Sequence, residues 1–219
     1  MMYFIYPSDE STEFLLEIPK IVAEKYGSKS NITINIKASD DSYSNCFEKV
    51  KMIPPNSTII FMGHGQANQL WGAESETFIK KPFVKQNESK IFGGSNLFLL
   101  SCDSNEFLKG SYSYSKVINS IGFGSLPTVI EEFKQKRKLR ELEVNENVVR
   151  RFRLILIDLI SVSFCEMIKK DMTFYELFNY LVLRLNKKIS RVILDDKRNN
   201  ENRVLADLLY YIKSEMVYI

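Results

Sequence analysis

The 219-residue chain is long enough to bury a full hydrophobic core, with room for an appendage to one main domain. Its 45% hydrophobic and 26% charged content is ordinary for a folded domain, so disorder and fibrous classes are excluded. Thirty Lys and Arg against 27 Asp and Glu leave a net charge of +3, far from the dense positive field of a nucleic-acid binder.

Met2 to Tyr6, stopped by Pro7, and Ile32 to Ala38 read as strands, with a helix over Phe14 to Lys25 between them. Ser42 to Lys51 reads as a second helix. Thr58 to Met62 is a continuous apolar run of the kind buried on both faces of a parallel sheet, and Gly63, His64 and Gly65 follow at its carboxyl end. Leu70 to Lys90 mixes turn residues, charges and aromatics, which predicts a hairpin or excursion outside the main sheet. Asn96 to Leu100 is another buried-type strand, ending in Ser101 and Cys102. Tyr114, Val117, Ile118 and Ile121 predict a short helix closed by Gly122, with Phe123 to Leu126 as a fifth strand.

From Val129 to Ile219 the chain has neither proline nor glycine, and apolar residues recur at helical steps. Thr173 and Glu176 form a capping box for one of its helices, and Asp195 to Asn202 reads as a polar loop before the last one. The expected architecture is α/β, a doubly wound and mostly parallel sheet over residues 1–128, with a largely helical part over 129–219.

In such a sheet, reactive groups gather beyond the carboxyl ends of the strands. If the strands before His64 and Cys102 are neighbours, roughly 4.8 Å apart, the only imidazole of the chain and a thiol share one cleft. The imidazole can take the thiol proton and later return it to a leaving amine, while the thiolate attacks a carbonyl. Gly65 lets a substrate carbonyl approach the backbone, and its N–H, with that of Cys102, supplies oxyanion donors. The paired glycines are also expected to permit backbone angles that turn the imidazole into the cleft. Cys46 and Cys165 lie on apolar helical patterns without partner motifs and read as packing residues. One histidine and three scattered cysteines assemble neither a disulfide framework nor a four-ligand zinc site, so no metal or other cofactor is expected.

"IIFMGHG" (Ile59 to Gly65) and "LFLLSCDS" (Leu97 to Ser104) resemble the paired signatures of the caspase-like cysteine peptidases, which include caspases, metacaspases, separase and the bacterial CHAT proteases. "LWGAE" from Leu70 resembles the hairpin entrance of CHAT-type members, and "GFGSLP" from Gly122 the strand after the nucleophile helix. The resemblance spans Met1 to Pro127. It implies a cysteine endopeptidase acting through a thioester, with Cys102 as nucleophile, His64 as general acid-base, and Gly65 and Cys102 as oxyanion donors. It further implies protein substrates, restraint by a partner or activator or by a displaced loop over Gln66 to Glu88 or Glu106 to Ser115, and a prokaryotic defence role. Leu100 stands where metacaspases place the acid that binds a basic P1 side chain. Asp9, Glu10, Asp40 and Asp103 are then the acids available for such a residue.

The alternative is a catalytically silent caspase-like module that binds partners through its helical half. The start of the chain lacks a secretory pattern and Leu154 to Cys165 is too short to span a bilayer, so a cytoplasmic protein without nucleic-acid or membrane partners is expected. Lys134 to Glu141 reads as a solvated helix face, Trp71 as a cleft or hairpin residue, and Asp158 as a partner for Arg151 or Arg153 or the cap of a buried network.

Overall fold

The computed structural model describes residues 1–27, 31–135, 142–195 and 199–219. They form two compact units, one of residues 1–126 with 216–219, the other of residues 127–215.

The first unit is built on a six-stranded sheet. β1 (Met2–Pro7) pairs in parallel with β2 (Asn31–Ile36) on one side and β3 (Thr58–Met62) on the other. β3 pairs in parallel with β7 (Asn96–Leu100), and β7 with β8 (Asn119–Gly122). β9 (Val217–Tyr218) closes the edge antiparallel to β8, giving the order β2-β1-β3-β7-β8-β9. The chain thus winds outward from β1 to β2, crosses back to β3, and winds outward the other way.

Alternation is absent from β3 and β7 because both faces are covered. Ile59, Phe61, Leu97 and Leu99 enter one core cluster with Phe92 and Phe107, while Ile60, Met62, Phe98 and Leu100 are equally buried. The crossovers are α1 (Glu17–Tyr26), preceded by a 3-10 turn over Glu13–Leu16, and α2 (Asp40–Lys51). The Ser39 side chain caps α2 by accepting from Ser42 N, and Asp40 and Asp41 stand in its first turn, where the helix dipole favours anions.

Between β3 and β7 lies a small antiparallel sheet of β4 (Gly65–Gln66), β5 (Gln69–Trp71) and β6 (Pro82–Lys85), which is the excursion expected from sequence. Tyr43 of α2 pins it by donating to the Ala73 carbonyl at 2.7 Å, and burial pushes that phenol's pKa up.

Two expectations are corrected beyond Cys102. The helix after it is α3 (Ser104–Ser115), not a helix over Tyr114 to Ile121, so Glu106 to Ser115 is no displaceable loop. The next strand is β8, ending at Gly122, so Phe123 to Leu126 lies beyond the sheet rather than forming the fifth strand. Tyr114 and Ile118 mimic a helical stripe yet are both exposed, whereas α3 buries Phe107, Leu108, Ser111 and Ser115. A further correction is at the C-terminus, where β9 interrupts the helical character expected through Ile219.

The second unit contains α4 (Ile130–Gln135), α5 (Glu146–Lys170), α6 (Phe174–Asp195) and α7 (Asn200–Glu215), the last three packed on one another. The capping box is present: Thr173 N and Oγ1 donate to Glu176 Oε2 at 2.7 and 2.8 Å, and Glu176 N donates to Thr173 Oγ1 at 3.2 Å. Asp158 is held by Arg184 at 3.1 Å and Lys188 at 2.9 Å, neither of them the expected Arg151 or Arg153. Those cations are used elsewhere, Arg151 on Asn202 and Arg153 on the Thr128 carbonyl. Residues 136–141 of the basic stretch, and 196–198 of the polar loop, lie outside the described residues. Among the described residues no helix is long and apolar enough to cross a membrane.

Candidate functional site

The sheet's strand order reverses between β1 and β3, and in parallel sheets the crevice for ligands opens there, beyond the carboxyl ends. Three segments converge on this end: Ser8 to Thr12 after β1, Gly63 to Gly65 after β3, and Ser101 to Asp103 after β7.

The register fixes the last two against each other. Met62 pairs with Leu100, and Gly63 N continues the ladder by donating to the Leu100 carbonyl at 3.2 Å. His64 and Cys102 therefore lie two residues beyond the same rung on neighbouring strands. A Cβ on Gly65 would lie 2.6 Å from the Cys102 carbonyl oxygen and 2.8 Å from Ser101 Oγ. Only glycine lets these loops come so close. The glycines around His64 serve close approach and not unusual angles: neither has positive φ, and a Cβ on Gly63 would meet Pro7 at 2.8 Å. That corrects the reason expected for the pair, while retaining the need for it.

Cys102 stands on a tight strand-to-helix turn, half-buried, whereas Cys46 and Cys165 are fully buried. The next residue, Asp103, adopts the left-handed conformation (φ 54°), which Asp tolerates better than most side chains. Asp103 N donates to the Gly124 carbonyl at 2.9 Å and Asn105 N to that of Phe123 at 2.8 Å, so Phe123 to Leu126 runs along the turn. From that segment Leu126 N donates to Cys102 Sγ at 3.2 Å. Ser104, wholly buried, ties the layers together: its Oγ donates toward the Leu99 carbonyl at 2.9 Å and accepts from Phe123 N at 2.8 Å. Ser101 Oγ is also buried, with no hydrogen-bond partner among the described residues.

The loop after β1 brings what the sequence did not reveal. Asp9 Oδ1 accepts from Ser11 N at 3.0 Å and Ser11 Oγ at 2.6 Å, an Asx turn that folds the carboxylate back over its own loop. Ser11 Oγ lies 2.7 Å from His64 Nε2, and Asp9 Oδ2 lies 3.5 Å from the same nitrogen. Lys80, between β5 and β6, places Nζ 3.3 Å from Asp9 Oδ2 and 3.2 Å from Glu74. The Asp9 side chain is only 5% exposed against 18% for His64. Burial by itself raises the Asp9 pKa, but hydrogen bonds from His64 and Ser11, the charge His64 carries when it is protonated, and the positive charge of Lys80 outweigh it and hold the carboxyl well below the usual range.

The four acids considered for a basic P1 side chain are thereby sorted. Asp9 is committed to His64 and Lys80, Asp40 pairs with Lys81 at 2.6 Å, and Asp103 accepts from Ser125 Oγ at 3.2 Å. Glu10 is exposed in the turn between Asp9 and Ser11. Among the described residues no group of three or more potential ligands could hold a metal ion. Compared with known proteins, the chain matches no family model and no curated sequence.

Proposed function

We propose that this chain is a cysteine peptidase of the caspase-like kind, cutting protein substrates through a thioester on Cys102. The observation that carries the reading is the parallel β3–β7 pairing, which sets His64 and Cys102 beyond one rung of neighbouring strands at the sheet's ligand-binding end. In the reaction, His64 takes the thiol proton and Sγ attacks the scissile carbonyl. The tetrahedral oxyanion is met by the N–H groups of Gly65 and Cys102. Collapse forms the thioester and releases the amine, which leaves with the proton from His64. Water, deprotonated by His64, then hydrolyses the thioester and restores the thiol. Leu126 N donates to Sγ at 3.2 Å and stays in place as a donor to the thiolate once His64 has taken the proton.

The test is labelling with a peptidyl acyloxymethyl ketone. Labelling is expected in the wild type and in Cys46→Ala and Cys165→Ala, and to vanish in Cys102→Ala and His64→Ala. Equal labelling of the wild type and Cys102→Ala would refute the proposal.

A further inference from the structure

We infer that Asp9 and Ser11 form a relay that places the proton of neutral His64 on Nε2, leaving Nδ1 as the ring atom that accepts the Cys102 thiol proton. This rests on the reading of His64 as the general base.

The argument is a count of hydrogens around one hydroxyl. Ser11 Oγ has a single hydrogen and two close neighbours, Asp9 Oδ1 at 2.6 Å and His64 Nε2 at 2.7 Å. Ionised Asp9 can only accept. If the Ser11 hydrogen went to the imidazole, the 2.6 Å approach of Oγ to Oδ1 would set two acceptors against each other with no proton between them. The hydroxyl therefore donates to Asp9 and receives the Nε2–H from His64. The carboxylate is ionised because Lys80 and the Ser11 N–H stabilise its charge from the other sides. When Nδ1 takes the thiol proton, the ring becomes an imidazolium with Asp9 Oδ2 3.5 Å from Nε2, so the charge forms beside a buried anion already in place.

Asp9 and Ser11 touch neither substrate nor nucleophile in this scheme; they are positioning residues. The sequence offers Asp9 only as an acid for a substrate pocket, and its near-complete burial behind His64 argues for the other role.

One histidine in the chain makes the test direct, because every imidazole nitrogen signal in a 15N NMR spectrum is His64. In the full-length wild type, the neutral ring is expected to carry its proton on Nε2. In Asp9→Leu, which keeps the branched shape of the side chain and removes both of its acceptors, the Ser11 hydroxyl is left to turn its hydrogen toward Nε2. The proton then moves to Nδ1, and iodoacetamide alkylation of Cys102 at neutral pH is expected to slow on the order of 100-fold. Ser11→Ala, which removes the bridge without adding a donor, is expected to give a mixed tautomer and an intermediate rate. Cys46 and Cys165 are buried, so alkylation of the folded chain reads Cys102. A wild-type proton on Nδ1, or a tautomer unmoved in Asp9→Leu, overturns the relay whatever the activity. The expected tautomers with equal ketone labelling of the wild type and Cys102→Ala would uphold the relay while refuting the peptidase.

Discussion

Replacing Gly65 by alanine tests the closeness on which the site depends. The added Cβ would lie 2.6 Å from the Cys102 carbonyl oxygen, 2.8 Å from Ser101 Oγ and 3.0 Å from Ser101 Cβ. Ordinary contact begins near 3.4 Å, so the β4 and β7 loops must separate by roughly 0.8 Å, the difference between 3.4 and 2.6. The nearest atom is backbone, pinned by the Asp103 N to Gly124 O bond, and cannot rotate away. Overpacking of this kind costs about 1–3 kcal/mol, and a displacement near 1 Å at reacting groups costs on the order of 100-fold in rate. The control is Gly27→Ala at the end of α1, where a Cβ meets nothing within 4 Å but φ is +85°. Its backbone strain should cost a similar ~1–3 kcal/mol with no effect at the site. Urea denaturation and iodoacetamide kinetics together separate the two: both variants lose stability, and only Gly65→Ala loses Cys102 reactivity. If Gly65→Ala keeps its alkylation rate within twofold, the loops are not coupled as described.

Ser104→Ala should lower stability by about 1–3 kcal/mol in urea titrations, because the buried hydroxyl serves both the Leu99 carbonyl and Phe123 N, which lose their partner. Asp9 makes stability pH-dependent in a defined direction. Its folded-state pKa lies below the unfolded one, so ionised Asp9 stabilises the fold above the ordinary carboxylate range, and the contribution is lost as pH falls below about 4. Urea midpoints from pH 7 to 3 should fall less steeply in Asp9→Asn than in the wild type.

How much of this was legible follows from where the physical signal lies. β3 and β7 match their sequence bounds because strands buried on both faces must be apolar at every position, and turn residues end each run. α3 hid for the opposite reason: "SNEFLKGSYSYS" is rich in poor helix formers, has no side-chain N-cap bond, and buries Ser111 and Ser115 where a periodicity search wants apolar residues. β8 offers one strong apolar residue, Ile121, and β9 has two residues in all. His64, Gly65 and Cys102 could be singled out because each follows a readable strand. Asp9 and Ser11 lie 55 and 53 positions before His64, and no local pattern joins them. Only the strand order, with β1 beside β3, brings the loop after one against the loop after the other.

That arrangement also sharpens the choice between a structural and a chemical histidine. A buried carboxylate needs donors, and His64 is one of those around Asp9 and Ser11, so His64→Ala would disturb the fold under either reading. His64→Gln separates them. The glutamine amide can keep a donor near Ser11 Oγ, and stability should stay within about 1 kcal/mol of wild type. An amide cannot take a proton from sulfur, so Cys102 alkylation at neutral pH should drop by about 100-fold or more. If the glutamine variant matched the wild type in both measurements, the imidazole would be a hydrogen-bond donor and nothing else. A single histidine among 219 residues would then be explained by its hydrogen bond to Ser11 alone.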